Sequence, residues 1–174
     1  MDFIEALGPQ RQRDMFYRGH PVDFGWRISE QIAARFPQVV IDDHKHPFGY
    51  QMNRARLVVF DQPGTTLLEA LAANVPTIMF FDPRHWDFRP EAQPYFDMLQ
   101  RAGIFHDTPP AAAQQVAQVY ERVDPWWFSP DVQEARTEFV KHFALGSADW
   151  NRQWVEAIAQ ELQKIKARST RGSL

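Results

Sequence analysis

Short unbroken apolar runs alternate along this chain with longer stretches in which apolar residues recur every three or four positions. The runs are QVVID (38–42), LVVFD (57–61) and PTIMFF (76–81), each bounded by turn formers. Continuous apolar runs of this length mark strands covered on both faces, as in parallel sheets. MFYRGHP (15–21) reads as a further short strand or extended segment. It ends at His20-Pro21, because the residue before a proline is held out of the helical region. IF (104–105) reads as a very short edge strand.

Helical spacing fills the intervals. WRISEQIAARF carries Ile28, Ile32, Ala33 and Phe36 as a stripe stopped by Pro37, and HPFGYQMNRA reads as a short helix. Thr65 to Ala73 places Leu67, Leu68, Leu71 and Ala72 on one side and is ended by Asn74 and Pro76. PEAQPYFDMLQRAG has proline near its start and Gly103 at its end. PAAAQQVAQVYERV, DVQEARTEFVKHFAL and SADWNRQWVEAIAQELQKIK follow as three more helices, with Thr108 and Ser147 as N-cap candidates for the first and last. Residues 1–15 carry a weaker pattern, a short helix at most.

Strands alternating with helices of about ten residues imply βαβ units and a parallel sheet with helices on both faces. The expected fold is therefore α/β: a Rossmann-like parallel sheet of about four to five strands, followed by a C-terminal α-helical extension. The division expected is an N-terminal segment over 1–15, a Rossmann-like domain over 16–124, helices packed on it over 125–166, and a polar tail over 167–174. Trp126, Trp127, Trp150 and Trp154 are expected to be buried among the C-terminal helices.

Composition narrows the classes. Across 174 residues the net charge is −3 and the pI is near 6.1, which argues against a whole-surface attraction to nucleic acid. There is no cysteine, so a disulfide framework and thiolate catalysis are excluded. No apolar run approaches the length a bilayer requires, and the N-terminus has no basic segment leading into an apolar one. A cytoplasmic location is expected, peripheral to the inner membrane if it meets a membrane at all. Fourteen Phe and six Trp gather with proline and charge, as in HWDFRP and PWWFSP, which suggests packed loops as well as a core.

Ligands of open parallel sheets bind where strands lead into helix N-termini. Gly64-Thr65-Thr66 occupies such a place. Glycine permits close backbone approach, the first helical turn offers unpaired N–H groups, and two hydroxyls add donors. A phosphate suits this set; equally, one threonine could simply cap the helix. Arg18-Gly19-His20-Pro21 follows the first strand and could bring charge-assisted bonds to the same phosphate, or be a solvated loop. Glu69 lies one turn beyond the threonines. Asp42-Asp43-His44-Lys45-His46 matches no metal spacing and reads as a polar loop. The loop with Asp82, His85, Asp87 and Arg89 follows a buried strand and belongs on the same edge as Thr65. No metal is expected, no cofactor is required, and no catalytic residue can be assigned.

Three stretches in order, GTTLLEALAANVPTIMFFDP, PYFDMLQRAGIFHDTPPAAAQQV and VDPWWFSPDVQEARTEFVKHFALGSADW, resemble a family of bacterial transferases associated with surface-polysaccharide loci. The resemblance runs from about Phe16 to about Leu162. Those proteins are in turn similar to glycosyltransferases of the two-Rossmann GT-B type. Broader relatives, including bacterial sialyltransferases, Kdo transferases and glycerophosphotransferases, hold the phosphates of a CMP- or CDP-linked donor with a His-Pro motif and a Ser/Thr pair at a helix start. The matching positions are His20-Pro21 and Thr65-Thr66, with Gly64 before the pair. Arg-Gly precedes the His-Pro here, where many relatives have lysine.

The resemblance implies the C-terminal, donor-binding half of a GT-B enzyme. It would be inactive without an N-terminal half, through which a glycan or lipid-linked acceptor would bind. The competing expectation is a non-catalytic module that binds nucleotides or another protein. A small α/β enzyme acting alone ranks last, for want of a nucleophile with its base.

Overall fold

The computed structural model describes residues 1–86, 88–147 and 149–171. It divides into a body, Met1–Ala144, and a second unit from Leu145 onward.

The body alternates strands and helices as the apolar pattern requires. Its strands are β1 (Phe16–Tyr17), β2 (Val40–Ile41), β3 (Val58–Phe60), β4 (Thr77–Phe80) and β5 (Phe105–His106). Its helices are α1 (Asp2–Gln12), α2 (Ile28–Arg35), α3 (Phe48–Met52), α4 (Thr65–Ala72), α5 (Gln93–Arg101), α6 (Pro109–Val119), α7 (Val123–Trp127) and α8 (Pro130–Phe143). Every strand pairing is parallel: β1 with β2 in one small sheet, and β3-β4-β5 in another. The fold class is the expected Rossmann-like α/β arrangement, with the ladder interrupted between β1 and β3.

Two apolar layers cover the strands. Leu67 and Leu71 of α4, Phe96 and Leu99 of α5, Trp127 of α7 and Val132, Ala135 and Phe139 of α8 form one core with Met79 and Phe105. Phe3 and Ile4 of α1, Ile32 of α2 and Ala112, Ala113 and Val116 of α6 form the other with Ile78. Tyr17 of β1 and Val59 of β3 both pack on this second core. α1, α2 and α6 thus cover one face and α4, α5, α7 and α8 the other, the sign of a doubly wound sheet.

Local chemistry sets the helix ends. α4 and α5 both finish with a residue in the left-handed region, Asn74 at φ 57° and Gly103 at φ 73°. In each the two closing amides return to the last turn: Val75 N to Ala70 O and Asn74 N to Leu71 O, then Ile104 N to Leu99 O and Gly103 N to Gln100 O. This is the Schellman pattern, which satisfies carbonyls that a helix end leaves open. Thr108 caps α6 as expected, its hydroxyl accepting from Ala111 N.

Two of the four tryptophan expectations need correction. Trp127 is fully buried and Trp126 half-buried, and both indoles donate to helix-end carbonyls: Trp126 Nε1 to Ala102 O, Trp127 Nε1 to Asn74 O and Oδ1. In the second unit, however, Trp150 and Trp154 are about two-thirds exposed, at 64% and 65%. They lie on α9 (Trp150–Arg171), whose residues through Ile165 are all exposed. The amphipathic pattern was legible in the sequence, but it states only that a face is apolar. It does not state what covers that face.

Candidate functional site

The junction between β3 and α4 is where the sequence placed it. The chain leaves β3 at Phe60, turns through 61–64 and enters α4 at Thr65. Gly64 is the N-cap, extended at φ −96° and ψ 175°, and no side chain caps the helix. The threonines therefore stand at the first two helical positions and do not serve as the cap. Leu67 N bonds back to Gly64 O at 3.1 Å, while the amides of Thr65 and Thr66 have no partner among the described residues. Thr65 is exposed and Thr66 half-buried. Two free N–H groups, two hydroxyls and the positive end of the helix dipole converge on this turn, a combination that attracts an anion.

The loop after β4 leaves the same end of the same parallel sheet. In it Asp82 accepts from Arg84 N at 2.9 Å and pairs with the Arg84 guanidinium, which holds the Asp82 carboxyl well below the usual carboxylate range. His85, Trp86 and Arg89 are exposed, and Asp87 lies outside the described residues.

β1 approaches β3 at this end as well. Burial pushes the Tyr17 phenol up, and the charge of Asp61, one residue past β3, adds to it. Tyr17 of β1 and Val59 of β3 also share the second core. β1-β2 and β3-β4-β5 form separate ladders over one shared core, and β1 set beside β3 would give the order β2-β1-β3-β4-β5, which reverses between β1 and β3. Loops leaving such a reversal open a crevice in which α/β proteins take their ligands.

Arg18, Gly19 and His20 form the β1 side of the crevice. A Cβ at Gly19 would stand 3.2 Å from Ser29 Oγ and 3.3 Å from Tyr17 Cε1, so the backbone passes here at glycine distance. Arg18 is engaged elsewhere: its guanidinium pairs with Asp42, whose carboxylate is 1% exposed. Asp42 also accepts from His44 N at 3.0 Å, and Asp43 pairs with Lys45. Both carboxylates of the Asp42–His46 loop are thus matched, Asp42 by Arg18 and Asp43 by Lys45. Among the described residues no group of three acids or histidines could hold a metal ion.

His20 is exposed, and its Nδ1 lies 3.1 Å from Val22 N and 3.0 Å from Val22 O. When the ring is neutral, Nδ1 accepts from the Val22 amide and the proton resides on Nε2. When the ring is charged, Nδ1–H donates to Val22 O and Nε2 keeps its proton. In both of these states Nε2–H is the free donor, whereas in the other neutral tautomer Nδ1–H donates to Val22 O and Nε2 accepts. Glu69 is exposed on the second turn of α4.

The sequence reading overlooked Asp42 as the buried partner of Arg18, Asp61 at the end of β3, and the exposed aromatics of the loop after His20-Pro21. Asp61 had a legible signal, an acid closing an apolar run. The pairing of Arg18 with Asp42 had none, since it joins residues from two different strand ends. At the opposite end of the strands, a depression of about 530 Å3 bordered by Arg56, Pro76, Asp124 and Phe128 lies away from all of these groups.

Parallel strands, helices on both faces and an uncapped helix start after β3 define a Rossmann-like α/β protein. The chain belongs to the LIC12162 family of transferases, whose profile matches residues 1–158. No curated protein and no solved structure shows significant similarity to it.

Proposed function

We propose that this chain is the donor-binding part of a glycosyltransferase of cell-surface polysaccharide synthesis, a half-GT-B unit that holds the phosphate of a nucleotide-sugar, CMP- or CDP-linked. The observation that carries this reading is the first turn of α4. Gly64 leaves it without a side-chain cap, and the amides of Thr65 and Thr66 remain unpaired among the described residues. Transfer from a nucleotide-sugar leaves negative charge on the departing phosphate, and preorganised N–H and O–H donors stabilise that charge without a metal. His20 contributes a further donor through Nε2. Arg18 supports this set by neutralising Asp42, which would otherwise oppose an anion. Glu69, exposed one turn further along α4, belongs to the edge of the site, where a ribose or sugar hydroxyl would meet it.

Membership of a transferase family and the position at a strand reversal both favour this reading. A second reading, a nucleotide-binding or protein-interaction module without chemistry of its own, draws on the exposed apolar face of α9. Under the first reading the acceptor would be held by a separate domain.

Titration calorimetry with CMP, UDP and GDP tests the site. Thr66→Val and His20→Ala should each weaken binding of the favoured nucleotide by about 1–3 kcal/mol, the cost of losing a hydrogen bond to a charged group. Because Gly64 is the N-cap, Thr66→Val should leave the melting temperature unchanged. Unaltered affinity in both variants, or no nucleotide bound by the parent chain, would overturn the site.

A further inference from the structure

We infer that the loop following β1 carries a sugar-ring subsite, with the indole face of Trp26 as its platform. The inference rests on the phosphate reading above, because it places the group attached to that phosphate.

Every second residue from Val22 to Ile28 is apolar and exposed: Val22 55%, Phe24 64%, Trp26 69% and Ile28 40%. The loop is nevertheless ordered by its own bonds. Asp23 Oδ1 accepts from Gly25 N at 2.9 Å and from Arg27 N at 3.1 Å, and Trp26 O accepts from Gln31 Nε2 at 2.7 Å. Folding gains nothing from fixing large apolar side chains in water, so a rigid loop that presents them is arranged for contact.

The rings begin at the proposed phosphate ligand. His20 lies 5.0 Å from Phe24, centroid to centroid, and Phe24 lies 6.2 Å from Trp26. Beside Trp26 is a shallow depression of about 430 Å3 lined by Gly25, Trp26, Arg27, Glu30, Gln31 and Ala34. Arg27 and Glu30 form an ion pair across it, so the lining carries both signs and little net charge.

This combination selects a chemistry. A polyhydroxylated ring has one apolar C–H face to lay on an indole and a rim of hydroxyls that both donate and accept. Arg27 donates, Glu30 and the Gln31 carbonyl accept, and neither a bare anion nor a bare cation gains from the pair. A nucleobase has two π faces and is best held between two walls, whereas Trp26 offers one open wall. The occupant is therefore the pyranose ring of the donor.

The test uses the whole chain labelled with 5-fluorotryptophan, the Trp26 resonance being assigned by its loss in Trp26→Phe. The probes are inorganic phosphate, α-D-glucose 1-phosphate, N-acetyl-α-D-glucosamine 1-phosphate, CMP and UMP, with the Thr65 and Thr66 amide signals followed in parallel. Both sugar phosphates should shift the Trp26 resonance, while inorganic phosphate shifts only the two amides. Trp26→Ala should weaken the sugar phosphates about tenfold, the scale of one lost aromatic stacking contact, and leave inorganic phosphate within about twofold. A Trp26 shift as large with CMP or UMP would overturn the pyranose assignment in favour of a base. Shifts of the amides alone with every probe would remove the subsite and leave the phosphate reading standing. Amides that respond to no probe would remove both.

Discussion

Arg18 would serve the proposed site without touching its ligand. Its guanidinium is the partner of an Asp42 carboxylate that is 1% exposed. Removing one member of a buried pair leaves an uncompensated charge, which costs far more than the pair itself contributes. Arg18→Ala should therefore destabilise the fold by roughly 3–5 kcal/mol in urea unfolding. Arg18→Ala/Asp42→Asn should recover most of that loss, which a direct phosphate ligand would not do. His106 makes a second residue-scale prediction. Burial pushes its imidazole below the ordinary value, against a smaller opposing bond from its ring to Gly103 O. The unfolded chain then binds a proton more readily than the folded one. This contribution to stability is complete above the unfolded value near 6.5 and declines as pH falls from there to the folded value. His106→Gln should flatten the melting temperature between pH 7.5 and 5.5, relative to the parent.

Among the elements, α4 and α5 owe their ends to tertiary partners as much as to their own sequence. Asn74 closes α4, and its side-chain oxygen accepts from Trp127 Nε1 and Gln133 Nε2, while Arg136 donates to Leu71 O. Trp126 does the same for α5 through Ala102 O. These contacts fix where both helices stop, and α4 must stop correctly for its start to face the crevice. Gly103 gives the sharpest test. It sits at φ 73°, and a Cβ there would come within 2.8 Å of Gln115 Nε2, the end of a flexible side chain. Gly103→Ala should cost about 1–2 kcal/mol for the left-handed backbone, with a little more for moving Gln115. The check is the urea midpoint, with Gly103→Asn expected to lose less because asparagine tolerates this region.

For the whole molecule, the body Met1–Ala144 encloses both large cores, whereas α9 carries Trp150, Trp154, Val155, Ile158, Leu162 and Ile165 exposed on one broad side. A helix in a protein acquires most of its stability from packing its apolar face. A chain ending at Ala144 should therefore keep the urea midpoint of the full chain. A large drop would show that residues beyond Ala144 take part in the body.

The sequence by itself determined the alternation of strands and helices and the place of the β3–α4 turn, because apolar period, glycine and proline act over a few residues. It also supplied, through a resemblance over most of the chain, the transferase class that the family match bears out. The cap was less legible: threonine and glycine both favour helix starts, and only the backbone decides which stands outside the helix. Tertiary structure alone decided that Arg18 belongs to Asp42 and that Trp126 and Trp127 close two helix ends. These contacts join residues far apart in the chain, and their geometry depends on how the strands are ordered. Trp127 and Trp154 read alike as apolar positions on helices. One is fully buried and the other exposed, because burial belongs to the surface a residue meets and not to the residue.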